Sequence, residues 1–348
     1  PSGTTGRPKG VVIEHRSAVN VTSWFARGYE IKSGTRVLQM SDFTFDASVN
    51  QIFGPLLHGG TLHIVERQLM MDVSFLREYI DSHQINIVNF VPRFIQELLA
   101  DGPRLQSLTY VISGAESLNP DLKDSLLEKG YRLINHYGPT EATIDALACR
   151  CAPGPVTLGT PIANTQCYVL DSNFGLLPIG AAGELYIAGT GIARGYLNNP
   201  ELTAERFFYH EGHEGHEEKK ENSNGSKQFF INHQSSIINL YRTGDKVRWL
   251  PDGNMEFLGR IDRQVKVRGF RIELEEIENQ LKKHLPVKET VVVVHEIEGQ
   301  AGQLIAYAVP RDMENPGMSQ WREELGRVLP EYMVPAHFII LEILPVTP

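Results

Sequence analysis

The first ten residues, PSGTTGRPKG, combine residue types that suit the binding of a phosphate group. Glycine lets a ligand approach the backbone closely, and successive N–H groups in such turns form nests that bind anions. Hydroxyl groups add donors, and the mobile cation of Lys9 can pair with a phosphate. The stretch does not match the P-loop pattern, because Gly10 and not Ser or Thr follows the lysine. The residues alone leave two interpretations open, a phosphate-binding loop and an ordinary Gly/Thr turn.

The composition argues against several classes of protein. The chain has 348 residues, of which 41% are hydrophobic, and a formal net charge of −9. This length predicts roughly two domains, and the apolar content suffices for a sizeable core. The negative charge argues against nucleic acid and an anionic membrane surface as partners. No run approaches the ~18 apolar residues of a membrane span. We therefore expect neither a nucleic acid nor a membrane as partner.

The cysteines indicate a reducing environment. Their number is low and odd, which does not suggest a disulfide framework, and the members are Cys149, Cys151 and Cys167. The Cys-x-Cys pair lacks the further ligands that a zinc site requires. No signal peptide is visible. We expect reduced thiols and a cytoplasmic location.

Alternating strands and helices are predicted in the first 200 residues, and they must position any site there. Short apolar runs at 61–65, 85–91 and 108–113 predict strands, and amphipathic stretches at 75–83 and 93–100 predict helices. This alternation is typical of α/β architecture with much parallel sheet. From about residue 160, short strand-like runs separated by turn residues predict a β-rich part.

The second half of the chain contains a polar segment and then a different pattern. Residues 210–236 are rich in His, Glu, Lys and Asn and predict a flexible surface insertion, with metal binding as the alternative. Further on, helical stretches at 273–284 and 319–329 flank two strand candidates, which predicts a small α+β unit. We expect a large unit at 1–261 and a small one at 262–348.

Six further motifs accompany the opening loop in a particular order. They are FDAS (45–48), NHYGPTE (135–141), GELYIAGTGIARGYL (183–197), YRTGD (241–245), GRIDRQVKVRGFRIELEEIE (259–278) and LPEYMVP (329–335). Together they resemble the adenylation domains of non-ribosomal peptide synthetases, which belong to the adenylate-forming ligase superfamily. The resemblance covers essentially the whole chain. It implies an α/β fold with a large subdomain of mixed sheets, helices and a β-rich part, followed by a small mobile α+β subdomain.

The resemblance also implies a reaction and its partners. An amino-acid carboxylate attacks the α-phosphate of ATP, with Mg²⁺, to give aminoacyl-AMP and pyrophosphate. The phosphopantetheine thiol of a peptidyl carrier domain then takes the acyl group, and a condensation domain is expected in the same polypeptide. Positioning and charge neutralisation should carry such catalysis. The resemblance further implies a fragment, which lacks an upstream part and a C-terminal box with a catalytic lysine.

Nucleotide-binding roles follow from the resemblance in two groups. The opening loop is expected to hold ATP phosphates through Ser2, Gly3, Thr4, Thr5, Gly6 and Lys9, with Thr4, Thr5 and Lys9 also catalytic. The second group comprises Tyr137, Gly138, Thr140, Glu141, Asp245 and Arg260.

Specific roles are implied within the second group. Tyr137 is expected to face adenine. Catalytic Glu141 is expected to hold Mg²⁺, or else to be a charge at a helix N-terminus. Asp245 is expected to accept both ribose hydroxyls, or else to be a turn residue. Arg260 is expected to contact phosphate or ribose, with a surface ion pair as the alternative.

Two residues are implied in movement between half-reactions. Asp262 matches the position of the family hinge, where a few residues absorb the backbone change. Lys266 resembles a catalytic residue that faces the site during thiol transfer. The alternative for Lys266 is the solvated side of an edge strand.

The amino-acid pocket is expected around Asp46 of FDAS. The family uses this aspartate to hold the α-amino group, because a buried carboxylate needs a partner charge. The other implied pocket residues are Ala47, Asn50, Asn89, Val111, Ser113, His136, Ile144 and Asp145. Unmatched buried polar groups cost free energy, so this polar pocket predicts a polar or cationic amino acid. The alternatives are an acyl-CoA or aryl-acid ligase of the same superfamily and a non-catalytic interaction segment.

Overall fold

The computed structural model describes residues 9–210, 238–267, 269–295, 302–311 and 318–345. The phosphate-binding candidates Ser2, Gly3, Thr4, Thr5 and Gly6 therefore lie outside the described residues. The predicted insertion at 210–236 also lies outside them, except for the backbone of residue 210, which ends a strand. The chain divides into two compact units. One is Val11–Ile261, and the other takes its described residues from Pro1–Gly10 and Asp262–Pro348.

A mainly parallel sheet forms the centre of the larger unit. Its strands among the described residues are β1 (Arg36–Gln39), β2 (Thr61–Ile64), β3 (Ile87–Phe90), β4 (Tyr110–Ser113), β5 (Arg132–Tyr137), β6 (Leu147–Arg150) and β7 (Thr160–Pro161). The spatial order is β2-β1-β3-β4-β5-β6-β7. Pairs from β2 to β5 are parallel, and the last two pairs are antiparallel. The predicted α/β architecture is confirmed.

Helices pack on this sheet. They are α1 (His15–Gly28), α2 (Ala47–Leu57), α3 (Arg67–Met70), α4 (Val73–Ser82), α5 (Pro92–Leu99) and α6 (Pro120–Glu128). Both α5 and α6 begin with proline, whose fixed φ and missing N–H suit the first helical position. The side chain of Asn119 caps α6 by accepting from the N–H of Asp121 at 2.7 Å.

The two faces of the sheet carry different residues, because side chains alternate along a strand. On one face, Val88 and Val111 pack with residues of α4, α5 and α6. On the other face, Ile87 and Ile112 pack with residues of α1. Both faces are therefore buried, as is usual for parallel sheets.

The rest of the larger unit is the predicted β-rich part. Its elements are β8 (Thr165–Leu170), β9 (Gly183–Gly189), α7 (Pro200–Arg206), β10 (Phe207–His210), β11 (Ile238–Trp249) and β12 (Met255–Arg260). The strands are antiparallel, in the order β10-β11-β9-β8, with β12 also paired to β11. Their core is continuous with residues that follow β5, including Ala142 and Leu147. This arrangement brings β5 and β11 to one region of the unit.

The smaller unit is the predicted α+β unit. Its elements are β13 (Gln264–Val267), β14 (Phe270–Glu273), α8 (Leu274–His284), β15 (Val287–His295), β16 (Gln303–Pro310), α9 (Met318–Gly326) and β17 (His337–Ile340). The short strands β13 and β14 form a hairpin, and β17 adds a parallel strand beside β16 that the sequence analysis did not predict. Trp321 of α9 and Ile277 of α8 lie in its core. Among the helices in the described ranges, none is both long and apolar enough to cross a membrane.

Candidate functional site

The loop between β5 and β6 (residues 138–146) folds back tightly on itself. A Cβ atom at Gly138 would collide with the backbone of Ile144 and Asp145, so only glycine permits this path. Thr143 and Ile144 have φ angles of 60° and 72°. Such values are strained for β-branched residues, and backbone strain of this kind clusters at functional sites. This conformation is locally destabilising, and it places Ile144 and Asp145 beside β5.

Asp46 meets this loop from the start of α2. Its Oδ2 accepts a hydrogen bond from the Thr140 hydroxyl at 2.6 Å, although the residues are far apart in sequence. Burial raises the pKa of the Asp46 carboxyl, and the charges of Asp145 and Glu141 raise it further, whereas the hydrogen bond from Thr140 opposes this change. A positive ligand group placed here would stabilise the carboxylate.

A buried polar chain connects α2, the loop and α1. The amide of Asn50 donates to Oδ2 of Asp145 at 2.9 Å. His136 Nδ1 lies 3.1 Å from Oδ1 of the same carboxylate. The other ring nitrogen, Nε2, contacts the hydroxyl of Tyr29. Four predicted pocket residues, Asp46, Asn50, His136 and Asp145, thus lie around one loop.

The strand register separates two predicted pocket residues from this group. Val111 packs in the core cluster on the α4–α6 face of the sheet, and Ser113 shares its face because it lies two residues further along β4. Ile112 instead packs on the α1 face. A Cβ at Gly114 would lie 3.5 Å from the Cβ of His136. Positions 112 and 114, and not Val111 and Ser113, therefore lie on the side of β4 that faces the group.

Two further predicted pocket residues, Asn89 and Ala47, lie near this group, unlike Val111 and Ser113. Asn89 is two residues after Ile87, which packs on the α1 face, and its carbonyl accepts from the amide of Gln51 at 3.0 Å. Ala47 is partly buried beside the cluster that contains Ile144. Gln51, which the sequence analysis missed, ties the ends of β1 and β3 to α2, since its Oε1 also accepts from backbone N–H groups of residues 40 and 41 at 2.8 and 2.9 Å.

A second cluster joins β5 to the β-rich part. The hydroxyl of Tyr137 donates to Oδ2 of Asp245. Arg260 donates to Oδ1 of Asp245 at 2.7 Å and to the carbonyl of Thr243 at 3.0 Å. Asp245 and Arg260 face each other in register across β11 and β12. A carboxylate oxygen has two lone pairs, so each oxygen of Asp245 retains capacity for a ligand hydroxyl.

Glu141 lies buried in the same loop. Tyr196 donates its hydroxyl to Oε1 of Glu141 at 2.6 Å. Among the described residues, no group of three or more His, Cys, Asp and Glu side chains has the arrangement of a metal site. A single carboxylate nevertheless fits Mg²⁺, which is usually held by one or two carboxylates together with substrate phosphates. The donor chemistry of Glu141 is therefore compatible with the expected cation.

Replacing Tyr196 with phenylalanine is expected to lower the free energy of unfolding by about 2 kcal/mol, because a hydrogen bond to a buried carboxylate is lost. Urea unfolding measures this change. Tyr168→Phe is the matched control, since the hydroxyl of Tyr168 makes no hydrogen bond to the described residues and the ring is only partly buried. Equal effects of the two substitutions would contradict the role assigned to the Tyr196 hydroxyl.

The smaller unit holds the remaining predicted residues. Nζ of Lys9 lies 3.0 Å from Oε1 of Glu273, and both side chains are buried. The structure thus gives Lys9 a carboxylate partner, where the sequence analysis expected a phosphate. Lys266 is exposed on β13, opposite Arg271 on β14. Asp262 accepts from the N–H of Gln264 at 3.2 Å.

The functional candidates that the sequence analysis missed are aromatic or amide side chains. Tyr29 ends α1 and contacts His136, and Tyr196 lies within the GELYIAGTGIARGYL motif. The motif was a usable signal for Tyr196. Nothing in the local sequence distinguishes Tyr29 from an ordinary core residue.

Two family models match the chain. The model of the AMP-binding enzyme matches residues 2–197, and that of the AMP-binding enzyme C-terminal domain matches residues 276–348. Gramicidin S synthase 1 of Brevibacillus brevis is 38% identical over 350 residues, covering 99% of this chain and 29% of that protein. Tyrocidine synthase 2 of Brevibacillus parabrevis is 38% identical over 351 residues, covering 100% of this chain and 9% of that protein. The chain therefore spans less than a third of the length of these curated relatives.

Solved structures share the fold. The Vibrio cholerae adenylation domain AlmE, in complex with glycyl-adenosine-5′-phosphate, matches with a TM-score of 0.83 and 28% identity, over 99% of this chain and 62% of that one. Holo-PA1221, an NRPS protein containing adenylation and PCP domains, matches with a TM-score of 0.82 and 26% identity, over 100% of this chain and 57% of that one. The first family model covers more than half of the chain. The fold of the chain is that of the adenylation domains. The chain belongs to the AMP-binding enzyme family.

Proposed function

We propose that the chain activates an amino acid as aminoacyl-AMP, using ATP and Mg²⁺, in non-ribosomal peptide synthesis. The observation that carries the proposal is that one segment, β5 with the loop after it, makes hydrogen bonds to both Asp46 and Asp245. Thr140 of the loop binds Asp46, and Tyr137 at the end of β5 binds Asp245. An amino acid at Asp46 and a ribose at Asp245 would thus be held by adjacent parts of one segment.

The reaction needs little from the protein beyond positioning and charge. A carboxylate oxygen of the amino acid attacks the α-phosphorus, the bond to the bridging oxygen breaks, and pyrophosphate leaves with that oxygen. Asp46 orients the substrate through its ammonium group, and Asp245 orients the ribose through its hydroxyls. Mg²⁺, when bound at Glu141, supplies charge neutralisation to the phosphates. The phosphate contacts proposed for Ser2 to Gly6 and Lys9 remain predictions.

The electrostatics of the pocket support an amino acid as substrate. Burial raises the pKa of the Asp46 carboxyl, and the neighbouring charges of Asp145 and Glu141 add to this effect. An α-ammonium group beside it would supply a compensating charge. The polar groups of Asn50, His136 and Asp145 on the same side of the site favour a polar or cationic side chain.

The later half-reaction involves a partner domain. Holo-PA1221 contains adenylation and PCP domains, which supports transfer of the acyl group to the phosphopantetheine thiol of a carrier domain. A condensation domain in the same polypeptide is part of the proposal. The hinge at Asp262 and the thiol-transfer role of Lys266 remain predictions.

ATP–pyrophosphate exchange on the intact protein that contains this sequence tests the proposal. The expected result is exchange that depends on one amino acid or a few related ones, among the protein amino acids and ornithine. Exchange only with fatty or aryl acids would assign the chain to another ligase of the superfamily. No exchange with any acid would favour the non-catalytic alternative.

A further inference from the structure

Resting on the proposed function, we infer that Tyr196 is the positioning residue of the Glu141 carboxylate, and that the segment before it ties Glu141 to the residues that follow the opening loop. This segment, residues 189–196, is called the clamp segment below. It lies in the GELYIAGTGIARGYL motif, to which the proposed reaction assigns no role.

The hydroxyl of Tyr196 fixes the direction of one carboxylate oxygen of Glu141. It donates to Oε1 at 2.6 Å, although the two residues are 55 positions apart. Glu141 is fully buried, and Tyr196 is 5% exposed. The ring of Tyr196 packs edge-on against Phe207, with 5.4 Å between the ring centroids. A phenol hydroxyl lies on the axis of its ring, so a packed ring presents its donor in one direction.

The backbone of the clamp segment holds the loop between β5 and β6 at two further points. The N–H of Ala193 donates to the carbonyl of Glu141 at 2.9 Å, and the hydroxyl of Thr143 donates to the carbonyl of Gly191 at 2.6 Å. A Cβ atom at Gly191 would lie 2.7 Å from the carbonyl oxygen of Ala142, so this close approach requires glycine. The clamp segment therefore binds Glu141 through its side chain and its backbone, and it also holds the two residues after it.

The clamp segment also pairs with the residues that follow the opening loop. The N–H of Val12 donates to the carbonyl of Gly195, and the N–H of Arg194 donates to the carbonyl of Val12, both at 2.9 Å. Val11 forms an antiparallel bridge with Tyr196 itself. Val11 and Val12 come directly after PSGTTGRPKG in the sequence. One segment thus contacts both Glu141 and the chain that leaves the proposed phosphate-binding loop.

These contacts suit a carboxylate that receives a metal ion together with phosphates. Mg²⁺ demands near-ideal octahedral geometry, so a carboxylate that can rotate binds it less well. Side chains that hydrogen-bond a ligating carboxylate orient it, and their loss typically lowers metal affinity about 10- to 100-fold. A tyrosine with a structural role alone would contribute only to stability. The two roles differ in whether loss of the hydroxyl changes the part of ATP binding that depends on Mg²⁺.

Calorimetric titration of the intact protein with ATP, with no amino acid present to react, tests the inference. The quantity measured is the ratio of the Kd for ATP in EDTA to the Kd in saturating Mg²⁺. In the unaltered protein Mg²⁺ should tighten binding, so that the ratio is well above one. In Tyr196→Phe the Kd in EDTA should stay within about twofold of its original value, whereas the ratio should fall about 10-fold.

Tyr131→Phe is the matched control. Tyr131 is also buried, and its hydroxyl accepts from the N–H of Leu105 at 2.8 Å. It lies just before β5, whereas the loop that carries Glu141 follows β5. Both substitutions should lower the melting temperature, but only Tyr196→Phe should change the ratio.

The outcomes separate the inference from the proposed function. An unchanged ratio in Tyr196→Phe, or an equal fall in Tyr131→Phe, would overturn the inference and keep the proposed function. A ratio near one in the unaltered protein would overturn the inference together with the Mg²⁺ role of Glu141. Absence of amino-acid-dependent pyrophosphate exchange by the unaltered protein would overturn the proposed function, and the inference with it.

Two substitutions of Thr143 test the clamp segment if Tyr196→Phe does not fold. Thr143→Val removes the hydroxyl that binds Gly191 and keeps the branched shape, whereas Thr143→Ser keeps the hydroxyl. The ratio should fall several-fold in Thr143→Val and stay near its original value in Thr143→Ser. Equal ratios in the two variants would contradict the role of the clamp segment.

Discussion

Asp46→Asn is expected to lower kcat/KM for the amino acid by about 10²- to 10³-fold, while the KM for ATP stays nearly unchanged. The substitution removes the charge opposite the substrate ammonium, and breaking a buried ion pair costs about 3–5 kcal/mol. Asparagine keeps the shape of the side chain and an oxygen that can accept from Thr140, whose hydroxyl lies 2.6 Å from Oδ2. Steady-state exchange at varied amino-acid and ATP concentrations separates the two effects.

The same variant should be more stable than the unaltered protein when no substrate is bound. The pKa of Asp46 is raised in the folded state, chiefly by burial. A group with a raised pKa contributes stability that is present at low pH and is lost as the pH rises through the folded-state value. At neutral pH the charged carboxylate therefore costs stability that a neutral amide does not. We expect the melting temperature of Asp46→Asn to exceed that of the unaltered protein near neutral pH, with the difference vanishing toward acidic pH.

Asp42→Asn is the matched control in the same segment. Asp42 is exposed, and hydrogen bonds from the backbone and side chain of Thr44 hold its pKa below the usual range. This substitution should not change exchange and should not stabilise the protein at neutral pH. If Asp46→Asn retained full activity, the assignment of Asp46 to the substrate ammonium would be wrong.

Asp245→Asn is expected both to destabilise the protein and to weaken its binding of ATP. The Asp245 side chain is 7% exposed and that of Arg260 13%, and their ion pair spans 2.7 Å. Loss of the charge should lower the free energy of unfolding by about 3 kcal/mol. Because the carboxylate is also the proposed ribose acceptor, the Kd for ATP should rise by about 10-fold or more. Chemical denaturation and ATP titration measure the two changes.

The turn of the same β-hairpin supplies the control for this prediction. Asp252→Asn alters an exposed aspartate whose pKa is lowered by hydrogen bonds from Asn254. It should shift neither the affinity for ATP nor the unfolding free energy by more than about 0.5 kcal/mol. An Asp245→Asn variant that lost stability but bound ATP normally would limit Asp245 to a structural role.

The local pattern of the chain was sufficient for the elements and for the family. Apolar periodicity identified strands β2, β3 and β4 and helices α4 and α5, because a half-buried or buried element repeats its apolar residues at its own period. Motif order indicated the family because glycine, proline and charged residues are restricted at tight turns and ligand contacts. Gly138 illustrates this restriction, since no other residue fits beside the backbone of Ile144.

The faces of the strands and the long-range pairs required the folded structure. In β3 and β4 both faces are buried, so the run of apolar residues does not reveal that Val111 points away from His136 while Ile112 lies on its side. The contacts of Tyr29 with His136 and of Asp46 with Thr140 join residues 107 and 94 positions apart. Lys9 likewise meets Glu273 across 264 positions. Such pairs depend on how the sheet and helices pack, which local residue types do not encode, because a side chain's neighbours in space are set by the path of the whole chain.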